Sequence, residues 1–400
     1  MAASFTPEPY DDAEAAEWLI CVACGTQFPT SDRSAVTTCL ICDDPRQYVP
    51  PSGQAFTTLA ALRASNHRNV FTPYHHQQQQ QQKGHGAVSP AGESTAAAAT
   101  ADITFVTTTP KFAIGQRAAL VRTPAGTVLW DCLTLLDDET VRRVRDEFGG
   151  LAAIVISHPH YYSTHVQWAR AFGCPVYVAA EDRARWTTLR SAHQVDLTEE
   201  DTEIVVRRRQ SRHGGAGSSS SSDERGGEAT EGAGGEGGGQ GEGEELQLVS
   251  TGARALKLGG HFPGSLVLLF RERLFIADTL VTTPAGLGRW DVDSLGTTRE
   301  QRRRRPSGLN TYAFLWSIPN AIPLGVDELA RMWAVLRRYE FRATHGAFAG
   351  MDIEDDRGDG DGAGGDGDEG NRVKRRVLES MQIQARFMGY GTHALMSERV

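Results

Sequence analysis

Side chains that bind metal ions follow several apolar runs of this 400-residue chain. His158 and His160 come directly after the run LAAIVIS, within the stretch SHPHYYSTH. Three more such side chains follow the runs KLGG, LFIA and FRAT, namely His261, Asp278 and His345. A side chain at a strand end is held by the sheet and faces a cleft, which is how a rigid metal site is built. A single histidine there is usually a hydrogen-bonded packing residue, but five residues in the same setting predict a shared metal ion.

A second group of potential ligands lies near the N-terminus. Four of the six cysteines form two Cys-x-x-Cys pairs at zinc-ribbon spacing, namely Cys21, Cys24, Cys39 and Cys42. Each pair turns tightly enough to direct two thiolates to one point, and four thiolates form a closed tetrahedral shell around zinc. We therefore predict a structural zinc ion. The alternatives are disulfides, which an intracellular chain would keep reduced, and free thiols, which would leave this short segment with little core of its own. Cys132 and Cys174 lie in apolar runs and are predicted to be buried thiols.

The segments that would position these ligands alternate between strand and helix from residue 101 onward. A hairpin with its turn at 124–126 is followed by the helix DDETVRRVRDEFGG, the strand LAAIVIS and the helix STHVQWARAFG. Later segments are predicted as four short strands, LQLVST, ARALKLGG, SLVLLFRE and LFIADTL, and then helices at VDELARMWAVLRRY and VKRRVLESMQIQARFMGYG. The segment AFLWSIPNAIPL is predicted as a loop that forms a wall of the cleft. This order predicts an α/β (α+β) domain of sheets with outer helices.

The order of the metal-binding residues resembles that of the metallo-β-lactamase-fold hydrolases. The matching residues are Asp131, His158-Pro-His160, GGHFPGS at 259–265, ADT at 277–279 and His345-Gly346. The most specific part is GGHFPGS, whose histidine is followed seventeen residues later by Asp278. The resemblance covers roughly residues 101–400 without their insertions, and it implies an αββα sandwich of two sheets with outer helices.

The resemblance also implies a role for each residue. One metal ion would be bound by the three histidines His158, His160 and His261. Asp278 would bridge to a second metal, and His345 would belong to that second site. Asp131 would support the metal-binding loops and would not itself be a ligand.

The chain departs from the family pattern His-x-His-x-Asp-His, because Tyr162 and Ser163 replace the aspartate and the third histidine. A depleted second metal site is therefore expected. Three residues are candidates to compensate for the loss. Tyr162 would donate a hydrogen bond at the site, His165 would reach its empty side, and Asp278 would turn wholly to one metal. Packing within the protein is the alternative role of Tyr162 and His165.

A metal ion held by three histidines lowers the pKa of bound water to about 7, so one ion suffices for hydrolysis. The predicted function is a zinc-dependent hydrolase that uses metal-bound hydroxide on a small ester, thioester, lactone or similar substrate. If Asp278 and two histidines form a facial triad, the alternative is a mononuclear non-haem iron(II) oxygenase on the same fold. A noncatalytic zinc protein that binds a protein partner through its ribbon is the third hypothesis.

Composition divides the chain into a zinc-ribbon-like module at 1–66, a linker at 75–100 and the main domain at 101–400. Few apolar residues predict disorder of that linker and of insertions at about 207–245, 295–310 and 352–371. The net charge of -9 argues against a nucleic-acid surface. The chain contains no run of about 18 apolar residues and no secretory signal, so a cytoplasmic or nuclear location and no membrane partner are expected.

Overall fold

A computed structural model describes residues 5–9, 12–74, 102–209, 246–288, 294–295, 308–355 and 372–400. The N-terminal module, residues 12–66, contains the short helix α1 (Ala13–Ala16), the paired strands β1 (Leu19–Cys21) and β2 (Phe56–Thr58), and helix α2 (Leu59–Arg63). Strands β1 and β2 are antiparallel. Cys21 ends β1, and the other three cysteines lie in the turns between these two strands.

The first large sheet has seven strands in sequence order. They are β3 (Arg68–Pro73), β4 (Ile103–Thr109), β5 (Arg117–Thr123), β6 (Gly126–Trp130), β7 (Ala153–Val155), β8 (Val176–Ala179) and β9 (Gln194–Leu197). Strands β3 to β6 pair antiparallel, and β6 to β9 pair parallel. The carboxyl ends of the four parallel strands therefore lie at one rim of the sheet.

The second large sheet has six strands. Their order is β10 (Asp201–Arg209), β11 (Leu246–Lys257), β12 (Leu266–Phe270), β13 (Arg273–Phe275), β18 (Ala343–His345) and β19 (Asp352–Glu354). All neighbours are antiparallel except β13 and β18, which are parallel. Between the parallel strands β13 and β18, β14 (Val281–Thr282) pairs antiparallel with β15 (Tyr312–Ala313). In the same part of the chain β16 (Leu315–Ser317) and β17 (Ile322–Pro323) form a hairpin.

The helices pack on the outer faces of the two sheets. Between β6 and β9 the chain forms α3 (Asp138–Phe148), a 3₁₀ turn (Pro159–Tyr161), α4 (His165–Phe172) and α5 (Ala180–Trp186). After β14 come α6 (Pro284–Leu287), α7 (Val326–Leu336), α8 (Arg372–Phe387) and a final 3₁₀ turn (Ala394–Ser397). Helix α3 begins at the Asp137 cap and ends at Gly149, whose φ of 73° suits glycine.

Alternating side chains along the strands divide the core into three layers. In β6, Val128 and Trp130 face the second sheet, whereas Leu129 faces the outer helices. Strand β12 alternates in the same way, with Leu268 in the layer between the sheets and Val267 against α7 and α8. The result is the predicted αββα sandwich.

The N-terminal module shares a core with the outer face of the first sheet. The buried side chains of Cys21, Cys42 and Ile41 belong to the same apolar cluster as Leu129 and Trp168. Gln27 N–H donates a hydrogen bond to the Ser163 carbonyl at 3.2 Å, so the module also contacts the loop that carries the histidines. The four-cysteine module is thus packed against the sandwich.

Several sequence expectations need correction. LQLVST and ARALK form the single strand β11, because an internal bend at Gly252 keeps the pairing with β10 and β12. The expectation of disorder from residues 207 and 352 is wrong at both starts, since β10 continues to residue 209 and β19 begins at 352, with Ile353 buried. Most of the predicted disorder, at 75–100, 210–245, 296–307 and 356–371, lies outside the described residues. Among the described helices, none is long and apolar enough to span a membrane.

A buried ion pair joins the two sheets. The guanidinium of Arg117 on β5 donates to both carboxylate oxygens of Asp352 on β19, at 2.6 and 3.1 Å, and its Nε donates to the Gly346 carbonyl at 2.9 Å. The side chains of Arg117 and Asp352 are 5% and 8% exposed. Removing one partner of such a pair leaves the other charge buried without compensation.

Arg117→Met keeps apolar volume but removes this charge, and we expect it to lower the free energy of unfolding by about 3–5 kcal/mol. The matched control is Arg271→Met, which breaks the Arg271–Asp102 pair, an ion pair whose side chains are 59% and 61% exposed. The control should change stability by about 1 kcal/mol or less. Urea unfolding followed by circular dichroism measures both. Equal losses would contradict the role assigned to the buried pair.

Candidate metal centre

Four of the five predicted ligands meet at one rim of the sandwich. They are His158, His160, His261 and Asp278, whose potential ligand atoms all lie within 4.8 Å of one another. All four side chains are buried. The cluster combines three imidazoles with one carboxylate, a donor set typical of zinc and of other divalent transition metals.

Strand ends and tight turns place these residues. His158 and His160 follow β7 at the carboxyl rim of the first sheet, where the 3₁₀ turn begins. His261 lies in the GGHFPGS turn between β11 and β12, and Asp278 follows β13. Leu266 N–H donates to the Ser157 carbonyl at 2.9 Å and joins the two sheets beside the cluster. The site is therefore complete only when both sheets have formed.

Gly260 and Gly264 give the GGHFPGS turn its shape. Gly260 has a φ of 87°, and a Cβ there would lie 2.6 Å from Thr279 Oγ1, which donates to the Gly259 carbonyl at 2.6 Å. A Cβ on Gly264 would lie 2.2 Å from that of Ala179. The Gly264 N–H donates to Asp182 Oδ1 at 3.0 Å, and Asp182 is a supporting residue that the sequence analysis missed.

The distances within the cluster fit a single ion. Asp278 Oδ2 lies 3.3 Å from His158 Nε2 and 3.7 Å from both His160 Nδ1 and His261 Nε2. His261 Nε2 lies 3.2 Å from His160 Nδ1. Four atoms bound at 2.0–2.1 Å in a tetrahedron would be about 3.3 Å apart. These four separations are therefore close to those around one tetrahedral ion.

Hydrogen bonds orient three of the ligands. His261 Nδ1 donates to the Trp316 carbonyl at 2.9 Å, which directs the lone pair of Nε2 into the cluster. His158 Nδ1 lies 2.9 Å from Ser157 Oγ. The Tyr161 hydroxyl donates to Asp278 Oδ1 at 2.7 Å, so Oδ2 remains for the ion. Tyr161 is thus a residue of the cluster's surroundings that the sequence analysis missed.

The protonation states also suit metal binding. Burial lowers the pKa of His160 to about 4 and lowers that of His261 well below its usual value. Burial alone would raise the pKa of Asp278, but the neighbouring His158 and the other histidines hold it well below its usual range. At neutral pH the cluster therefore presents a carboxylate beside neutral imidazoles at His160 and His261.

Asp131 lies behind the cluster, as the resemblance implied. Its Oδ1 accepts a hydrogen bond from Ser157 N–H at 2.8 Å, directly before His158. Burial raises the pKa of Asp131 to about 7. This contact fixes the backbone from which the first histidine projects, and Asp131 does not belong to the group of ligand atoms.

The structure does not bring His345 into the cluster. Because His345 pairs with Phe275 in the β13–β18 register, its ring points into the layer between the sheets and lies 5.0 Å from the Phe275 ring. Its Nδ1 donates to Asp352 Oδ1 at 2.9 Å, and its Nε2 accepts from Arg273 Nη1 at 3.2 Å. Both nitrogens thus have protein partners, which contradicts the expectation of a ligand at a second metal.

Tyr162 and His165 also lie outside the cluster, contrary to the expected compensating roles. A 3₁₀ turn directs consecutive side chains about 120° apart, so Tyr161 faces Asp278 while Tyr162 enters the outer apolar core. His165 Nδ1 lies 2.9 Å from the Tyr162 carbonyl, its Nε2 lies 2.7 Å from Gln194 Nε2, and burial lowers its pKa to about 4. Both are packing residues. The third candidate, Asp278, does turn towards the three histidines.

The four cysteines form a second compact group. The Sγ atoms of Cys21 and Cys42 lie 3.7 Å apart, as do those of Cys24 and Cys39, and all four are buried. Thiolates bound to zinc at about 2.3 Å in a tetrahedron would be about 3.8 Å apart. The arrangement fits one tetrahedral ion, and none of the six cysteines forms a disulfide.

The chain is similar to several known proteins. The chain is 29% identical over 333 residues to the uncharacterized protein YmaE of Bacillus subtilis (strain 168), covering 83% of this chain and 89% of that protein. Similar solved structures include a metallo-beta-lactamase from Hirschia baltica, with 10% identity, a TM-score of 0.36 and coverage of 70% of this chain and 93% of the other. Another is the metallo-beta-lactamase FIM-1 from Pseudomonas aeruginosa in its mono-zinc form, with 14% identity, a TM-score of 0.35 and coverage of 63% and 86%.

The sequence model of one family matches residues 114–321, just over half of the chain. This range includes His158, His160, His261 and Asp278. The chain therefore belongs to the metallo-beta-lactamase superfamily.

Proposed function

We propose that this protein is a metal-dependent hydrolase of small esters, thioesters or lactones, with one zinc ion held by His158, His160, His261 and Asp278. The observation that carries the proposal is the convergence of four buried donors at separations suited to a single ion. Iron(II) is the alternative metal. A second catalytic metal is not proposed, because the described part of the chain places His345, Tyr162 and Ser163 outside the cluster.

When bound, a zinc ion polarises a substrate carbonyl and lowers the pKa of water. The protein's own residues hold and orient the donors. Tyr161 holds one oxygen of Asp278, the Trp316 carbonyl holds the His261 ring, and Asp131 fixes the backbone before His158. Asp278 is 8% exposed, whereas the three histidines are at most 2% exposed. Substrate would therefore approach from the Asp278 side, and this narrow approach favours small molecules.

A second candidate, a noncatalytic metal-binding protein, is favoured by the same burial. Three histidines and one aspartate can fill all four positions of a tetrahedral ion, as structural zinc sites do. A hydrolase needs a further position, which zinc gains by becoming five-coordinate. The hydrolase and the noncatalytic protein would bind the metal through the same four ligands, but only the hydrolase would turn over a substrate.

Metal content of protein purified without added metal tests the proposal. We expect two zinc ions per chain, one at the cysteines and one at the histidines. His158→Ala should lose one of the two and abolish turnover of a panel of thioester, lactone and activated ester substrates. The control His165→Gln alters a buried histidine outside the cluster and should retain both ions. Mass spectrometry of the metals and spectrophotometric assays provide the measurements.

Each other outcome decides against part of the proposal. One iron and one zinc per chain would rule out the zinc hydrolase and favour oxygen chemistry at a mononuclear iron. Two zinc ions without turnover of any substrate in the panel would favour the noncatalytic candidate. Unchanged metal content in His158→Ala would refute the ligand assignment.

Tyr161→Phe should weaken metal binding at the histidines by about 10–100-fold, because it removes the hydrogen bond that orients Asp278. Tyr162→Phe is the matched control, since the neighbouring phenol has no hydrogen bond to any of the four ligands and should leave the affinity unchanged. Competition with a chelator measures the dissociation constants. An equal effect of both variants would show that loss of packing, and not orientation of Asp278, controls the affinity.

A further inference from the structure

The segment Asp44–Arg46, which follows the last cysteine, lies against the His261 turn. The Arg46 guanidinium donates from Nη1 to the His261 carbonyl at 3.0 Å. It also lies 3.9 Å from the centre of the Phe262 ring and 5.0 Å from that of Trp186. A side chain of the N-terminal module thus holds the backbone of one metal ligand, 215 residues away in sequence.

The same segment also contacts the hairpin that orients the His261 ring. The Pro45 carbonyl accepts hydrogen bonds from Ser317 Oγ at 2.6 Å and from Asn320 Nδ2 at 2.7 Å. These residues belong to the β16–β17 hairpin, whose Trp316 carbonyl accepts the hydrogen bond from the His261 ring. The module therefore contacts both the backbone of His261 and the hairpin that orients its imidazole.

Arg46 is not available to bind a substrate anion. Its Nε and Nη2 donate to the two carboxylate oxygens of Asp44 at 2.7 and 2.6 Å, and the residue is 9% exposed. With one further donor on the His261 carbonyl, the guanidinium has its charge paired and its planar face covered by aromatic rings. These contacts suit a residue that fixes geometry.

The four-cysteine site fixes where this segment begins. Cys42 and Asp43 N–H groups both donate to the Cys39 carbonyl, at 3.0 and 2.8 Å, so the turn that presents Cys42 leads directly to Asp44. Only three residues separate Cys42 from Arg46. Metal bound by the thiolates would hold that turn in shape, because such small cysteine modules depend on their metal for folding.

We propose that Arg46 is a positioning residue for His261, and that metal bound at the four cysteines thereby controls how firmly the three histidines and Asp278 retain their own metal. The inference rests on the metal binding proposed above. The contact of Arg46 with the His261 carbonyl is the link between the two sites.

The first test compares rates of metal loss to a chelator, in the full chain loaded with zinc at both sites. His158→Ala gives the rate of the cysteine site alone, so the rate of the histidine site follows by difference. Arg46→Ala should release the second metal about 10–100-fold faster than the unmutated chain. Arg46→Lys, which keeps a donor within reach of the carbonyl, should restore part of the retention.

The matched control is Arg33→Ala. Arg33 is an exposed arginine of the same module, and its guanidinium lies 4.5 Å from the centre of the Phe56 ring. Its loss should leave both release rates unchanged. Thermal unfolding of each metal-loaded variant identifies any general loss of stability. Arg46→Lys should slow metal release specifically at the histidine site, which a general loss of stability would not explain.

The second test removes the metal of the module with the double variant Cys39→Ser/Cys42→Ser. Metal loss from the histidine site should accelerate as in Arg46→Ala, and adding Arg46→Ala to the double variant should accelerate it no further. Two results would overturn this inference without affecting the proposed function. One is that Arg46→Ala and the double variant accelerate metal loss additively, and the other is that Arg46→Ala releases the metal at the rate of the unmutated chain. If the unmutated chain holds no metal at the histidines, the proposed function fails and the inference fails with it.

Discussion

The convergence of the Asp278 carboxylate and three imidazoles on one point is the constraint on which the rest of the structure depends. A buried carboxylate is costly unless it is paired and hydrogen-bonded, and four ligand-type side chains at these separations gain most when they share a cation. The protein meets this cost with a phenol on one oxygen and histidines around the other. Most of the supporting contacts can be understood as holding this arrangement in place.

That arrangement requires two sheets in one fixed relation. His158 follows a strand of the first sheet, whereas Asp278 follows a strand of the second, so a small shift between the sheets would separate the ligands. Contacts at the rim, such as Leu266 N–H to the Ser157 carbonyl, and the buried Arg117–Asp352 pair resist such a shift. The apolar layer between the sheets stabilises their association. Because the hydrophobic effect is non-directional, this layer fixes the position of one sheet relative to the other less closely than the hydrogen bonds and the ion pair do.

Sequence reasoning located the ligands whose identity depends on local pattern, namely a strand followed at once by histidine or aspartate. It failed for residues whose role depends on where the fold places their side chains. His345 fits the same local pattern, yet strand register turns its ring into the core, and the 3₁₀ turn assigns the hydrogen bond at Asp278 to Tyr161 instead of Tyr162. Arg46 could not be found from sequence, because nothing near it indicates a partner 215 residues away.

Those long separations have a consequence for the order in which the protein can form during synthesis. The cysteine module leaves the ribosome before the sandwich does, but the surfaces that cover it belong to Ser163, Phe262 and Asn320, which follow more than a hundred residues later. Contacts so distant along the chain form slowly, since a long loop must close before they stabilise anything. Through that interval the thiols would be exposed to solvent, and early capture of a metal ion would shield them from oxidation until the sandwich closes over them.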